Sequence, residues 1–130
     1  MIVRKSEREI EIMRKAGEIV ANALAMTRDI AREGVSTEDL NTKLEEYVLQ
    51  KSGIPVFKGY RGYPKSICAS INEEIVHGIP DQRKLCNGDI LSVDIGVEFN
   101  KYVADAAITI PIGEISEEAT SLLQVCEESL

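Results

Sequence analysis

The chain has 130 residues, 44% hydrophobic and 28% charged, with a net charge of −7. That length fits one domain able to bury most of its apolar surface in a single core, and the acidic balance argues against a general nucleic-acid or anionic-membrane surface. Three cysteines, Cys68, Cys86 and Cys126, form no CxxC pair and leave one odd thiol, which points to small buried hydrophobes in a reducing, cytoplasmic compartment.

The N-terminal stretch MIVRKSEREIEIM is too charged for a signal peptide, and no apolar run approaches the ~18 residues of a membrane span. Ser6 followed by Glu9 predicts a capping box, and Ile10, Met13, Gly17, Val20, Leu24, Thr27 and Ala31 recur at helical spacing. One long amphipathic helix is expected, ending near Glu33 with Gly34 beyond it. Ser36 or Thr37 then caps a second helix with Leu40, Leu44, Tyr47 and Val48 as its buried stripe, and Ser52-Gly53 stops it. Neither helix clusters ligand-type residues.

From Ile54 the character changes to IPVF, GYRGYP and SICASI, read as two short strands joined by a Gly-aromatic loop. Tyr60 and Tyr63 in that loop suit either a small hydrophobic pocket or two half-buried loop positions. The only histidine, His77, lies in NEEIVHGIPD. It is either exposed on a Gly/Pro loop or a proton-exchanging group, should the loop fold over acidic residues. DQRKLCNGD reads as a polar turn.

Residues 89–110, DILSVDIGVEFNKYVADAAITI, form two β-branched halves separated by EFNK, the pattern of a hairpin with a four-residue loop. Centring that loop makes Asp94 face Asp105. Leu91, Val93, Ile95, Ala104, Ala106, Ile108 and Ile110 then share the opposite, core face. Two opposed carboxylates repel, so a cation or a shared proton must compensate, or else the register slips and both aspartates are solvated. Ser116 caps a last helix over ISEEATSLLQVCEESL, whose Leu122, Leu123, Val125, Cys126 and Leu130 give it an apolar side. The glutamates after Asp105, from Glu114 to Glu128, read as loop and solvated helix face.

The run GYRGYPKSICASINEEIVHGIP (Gly59 to Pro80), then GDILSVDIG, then ADAA, resembles the type I bacterial methionine aminopeptidases. The resemblance extends from the first helix to the last. The hairpin is shared with other pita-bread metallopeptidases, whereas the Gly59–Pro80 run resembles the methionine-specific ones. It implies an α+β fold: half of a pita-bread, an antiparallel sheet with amphipathic helices packed on one face. It also implies removal of the initiator methionine from an N-terminal Met peptide or nascent chain by metal-activated water. By the same resemblance, Asp94 and Asp105 match ligands of two divalent metal ions (Co, Mn, Fe or Zn), Asp105 bridging them. His77 matches a catalytic, substrate-contacting proton donor, and Tyr60, Tyr63 and Cys68 match the methionine pocket. Phe57 falls where a pocket cysteine is often found. Asn72 and Glu74 match positions whose carbonyls hold a monovalent cation in some relatives.

Members of that family are roughly twice as long, and their second half supplies a histidine and two glutamates to the metals. Two carboxylates cannot complete two coordination shells. The chain therefore reads as a single domain, the N-terminal half of the catalytic domain, inactive alone and requiring a missing C-terminal half; a homodimer imitating the whole is the other assembly. The alternative is a non-catalytic peptide-binding module with the same fold, for which two apposed aspartates would have no use.

Overall fold

The computed structural model describes residues 4–130, so Met1, Ile2 and Val3 of the charged N-terminal stretch lie outside the described residues. The capping chemistry of the first helix is as expected. In α1 (Glu7–Ile30) the Ser6 hydroxyl accepts from the Glu9 N–H while the Glu9 carboxylate accepts from the Ser6 N–H. Its inward stripe is Ala16, Ile19, Val20, Ala23, Leu24 and Thr27, whereas Ile10 and Met13 stay 45% and 37% exposed. The helix stops at Ile30 rather than near Glu33 because Ala31 is already extended. Gly34 does adopt a positive φ of 84°, but its N–H turns to the Leu85 carbonyl at 2.8 Å and joins two distant segments.

Ser36 caps α2 (Thr37–Gln50) in a second capping box with Asp39, and Leu40, Leu44 and Val48 are buried. Tyr47 is only half-buried. The DQRKLCNGD stretch is more than a polar turn: Leu85 is buried, and its N–H donates to the Val35 carbonyl. Its apolar side chain has nowhere else to go in a stretch otherwise exposed.

Among the described residues four antiparallel strands follow, β1 (Ile54–Pro55), β2 (Ile67–Ile71), β3 (Ile90–Phe99) and β4 (Tyr102–Pro111), with one 3₁₀ turn at Tyr60–Gly62. β3 is the spine. Its Val97 and Glu98 pair with β1, its Leu91–Ile95 pair with β2, and its whole length pairs with β4. A strand has two edges, so β1 and β2 lie end to end along one of them. The inner face carries Ile67, Ala69, Ile71, Leu91, Val93, Ile95, Val97 and Ile110, and α1 and α2 close over it as one core. Fully burying each Ile, Leu or Val side chain among them stabilises the fold by about 1.5–3 kcal/mol. Ala106, expected there, is exposed.

The sheet with helices on one face therefore holds for α1 and α2. α3 (Glu117–Glu128), capped by Ser116 as expected, buries none of its residues. Arg28 lies 3.8 Å from Glu127, the one ion pair between α3 and α1 among the described residues. No helix among those residues is long and apolar enough to cross a membrane.

Candidate metal and substrate site

The hairpin turn is tighter than EFNK. Glu98 and Phe99 remain in the strand, paired with Val103 and Tyr102, and only Asn100 and Lys101 turn the chain. Both have positive φ, 48° and 70°, the twist-compatible two-residue turn. This shifts the register by two, so Asp94 faces Ala107 and Asp105 faces Gly96. The aspartates are therefore diagonal, not directly opposed. A shift of two preserves the face, and both carboxylates still project from the outer side of the sheet.

Rows of that outer face can be read across three strands: Ser70–Ser92–Thr109, then Cys68–Asp94–Ala107, then Gly96–Asp105. In the first row the Ser92 and Thr109 hydroxyls are 2.8 Å apart. In the third, Gly96 makes the space. A Cβ there would stand 2.6 Å from Val56 Cγ2, 2.7 Å from Phe57 Cε1 and 3.3 Å from Asp105 Oδ2. Phe57 thus covers Gly96 beside the Asp105 carboxylate.

Asp94 is the anomalous group. Its Oδ1 is buried without a hydrogen-bond partner among the described residues. Burial, then the charge of Asp105 and a hydrogen bond shared with it, push its carboxyl up to about 6, while the positive charge of His77 and the Ile95 N–H act in the other direction. An unpaired buried carboxylate oxygen is costly. Beside a second carboxylate it is the donor set a hard or borderline cation wants. These residues fit a divalent metal, but only as part of its shell: among the described residues no group of three His, Cys, Asp or Glu side chains converges.

The remaining candidates lie around this pair. Cys68 is directly across from Asp94 on β2, and burial pushes its thiol up. The Tyr63 hydroxyl lies 3.0 Å from the carbonyl oxygens of both Ile67 and Gly78, and burial raises its phenol above the ordinary range. Tyr60 stands 64% exposed, with the Arg61 guanidinium 5.4 Å from its ring centroid. His77 is exposed with a left-handed φ of 62°, and its charge reaches Asp94. Asn72, at φ 54°, donates to Asp89 and accepts from the Ile90 N–H, while Glu74 accepts from the Ile71 N–H and pairs with Arg83.

Buried Asn41 on α2 went unseen in the sequence: its Oδ1 accepts the Ser66 N–H at 2.9 Å and fixes the entry to β2. An isolated Asn inside an apolar helix face was the available signal.

The profile of the metallopeptidase family M24 matches residues 11–130. The chain belongs to metallopeptidase family M24. Among proteins similar to this M24 chain, a methionine aminopeptidase of Clostridium acetobutylicum is 52% identical over 130 residues, covering 99% of this chain and 52% of its own. Methionine aminopeptidase 1 of Bacillus subtilis is 48% identical, covering 100% and 52%. The crystal structure of methionine aminopeptidase from Rickettsia prowazekii superposes with a TM-score of 0.95 at 33% identity, over 98% of this chain and 52% of that one. The chain spans about half the length of the curated relatives it matches. M24 membership implies divalent metal, consistent with the unpaired Asp94 oxygen.

Proposed function

We propose that the chain is the N-terminal half of a methionine aminopeptidase catalytic domain, inactive alone, that contributes Asp94 and Asp105 to a two-metal site completed by a second half. The observation that carries this is the Asp94 Oδ1, buried and unpartnered, with Asp105 diagonal to it on the same face. A buried carboxylate oxygen in a purely structural role is ordinarily hydrogen-bonded; Oδ1 keeps its lone pairs free for a cation. Retention of the pair weighs against a pure peptide-binding module.

Divalent ions held there, Co, Mn, Fe or Zn, would supply Lewis acidity and a water acidified to near neutrality. The chain's own residues do the rest. Asp94 and Asp105 bring negative charge to the outer face; His77, on its loop, holds a proton for the scissile amide of an N-terminal Met peptide or nascent chain. Tyr60, Tyr63, Cys68 and Phe57 line the methionine side. In the same reading a monovalent cation sits on the backbone carbonyls of Asn72 and Glu74, at the foot of the His77 loop, and the protein is cytoplasmic.

The test uses the chain itself and a chimera completed by the second half of the Clostridium acetobutylicum relative. The 130-residue chain, given Co²⁺, Mn²⁺ or Fe²⁺ and a Met-Ala-Ser peptide, should show negligible turnover, and the chimera should cleave it. Asp94→Asn and Asp105→Asn in the chimera should each abolish stoichiometric metal uptake. Turnover by the chain alone, as a homodimer or otherwise, or metal uptake indifferent to both substitutions, would overturn the reading.

A further inference from the structure

The loop from Asn72 to Gly78 is fixed at both feet and free at its crown. At the first foot, Asn72 and Glu74 make the bonds to Asp89, Ile90, Ile71 and Arg83 described above. At the crown, Ile75 and Val76 are 87% and 65% exposed, and His77 is exposed with them. The second foot is Gly78, the residue directly after His77. Its N–H donates to Ser70 Oγ at 3.0 Å. Its carbonyl accepts from the Ala69 N–H at 2.9 Å and faces the Tyr63 hydroxyl at 3.0 Å. Gly78 lies so close to β2 that a Cβ on it would stand 2.3 Å from the Ala69 carbonyl oxygen.

Among the described residues Ser70 makes no other hydrogen bond through its Oγ. It is 3% exposed, on the outer face in the row beside Cys68 and Asp94, while its register partner Ser92 bonds Thr109 instead. The N–H it accepts belongs to the peptide that joins His77 to Gly78. A non-glycine residue held at φ 62° costs about 1–2 kcal/mol in local strain and persists only where its neighbours fix it. The free crown supplies no such constraint; Gly78 does.

We propose that Ser70 is a positioning residue for His77, with the Tyr63 hydroxyl as the second arm of the same clamp. Tyr63, assigned above to the pocket, then has its hydroxyl set between the Ile67 and Gly78 carbonyls and beside the Cys68 thiol, so side-chain pocket and proton donor are braced against each other. This rests on the aminopeptidase reading for its catalytic consequence, though not for the clamp.

Two experiments separate the layers. In the 130-residue chain, Ser70→Ala should raise the Gly78 amide exchange rate about 10-fold or more, with α1 amides unchanged; Ser70→Thr, which keeps an Oγ, should restore protection. In the chimera, Ser70→Ala should lower kcat by about 10- to 100-fold with KM for a Met peptide nearly unchanged, and Ser70→Thr should recover it. A Gly78 amide equally protected in S70A would overturn the clamp. An unchanged kcat, or a loss confined to KM, would overturn the positioning role. An inert unmutated chimera would instead count against the aminopeptidase reading, and against Ser70's catalytic consequence with it, while the exchange result still decides the clamp.

Discussion

Asp105 sits diagonally across the hairpin from Asp94, opposite Gly96, and its Oδ2 is 3.3 Å from the point a Gly96 Cβ would occupy. The pair is thus close without direct opposition, and burial with mutual repulsion raises Asp94 to about 6. Against an unfolded value of 3.8, the folded state holds the extra proton between about pH 4 and pH 6. Stability from this group is present below that window and is lost as pH rises through it. Asp94→Asn should therefore stabilise the chain by about 1 kcal/mol at pH 7, a figure kept low because the side chain is partly solvated and screened. Near pH 4 it should be neutral. Urea unfolding at both pH values checks this; a gap that failed to widen with pH would contradict it.

Two glycines should respond to alanine in opposite directions. At Gly78 the new Cβ meets Ala69 backbone oxygen at 2.3 Å and Ser70 Cα at 2.9 Å, and backbone cannot swing aside. Gly78→Ala should cost about 3 kcal/mol. Gly17, inside α1, has no described atom beyond its own stretch of helix within 4 Å of its would-be Cβ. Gly17→Ala should gain about 0.5–1 kcal/mol from helix propensity alone. Urea midpoints at constant slope would report both.

The face on which Asp94 and Asp105 lie was legible because strand alternation survives an error of two in register, and the helix starts were legible because Ser6 and Ser36 cap by local chemistry. The loop length was not. Phe99 and Tyr102 pair across the turn, and Asn100-Lys101 lacks the glycine that usually marks so tight a reversal. The burial of Leu85 and the bond of Asn41 depend on partners far away in sequence, and the bond of Ser70 on a loop that folds back across eight residues; periodicity carries neither. The resemblance supplied roles for Asp94, Asp105 and His77; spacing alone left each of them open.

That missing glycine gives a direct test. Lys101 holds φ 70° with a β-carbon that disfavours it. Lys101→Gly should stabilise the hairpin, and the chain with it, by about 0.5–1 kcal/mol, the strain relieved outweighing the added freedom of the unfolded glycine. Thermal unfolding should show the gain, and Lys101→Val, β-branched, should show a loss.

α3 is the element the rest of the described fold supports least. It buries no residue, and Leu122 and Val125 are 56% and 60% exposed. A 12-residue helix is marginal in water unless tertiary packing holds it. Its amides should therefore exchange far faster than those of α1, and Leu122→Glu with Val125→Glu should change global stability by less than about 0.5 kcal/mol. A buried control sets the scale: Val93→Ala in β3, 0% exposed, should cost about 2 kcal/mol or more. In the chimera the same glutamates should become costly if the second half packs on α3, so the difference between chain and chimera measures that packing. Equal, small effects in both would show that α3 stays free even in the chimera.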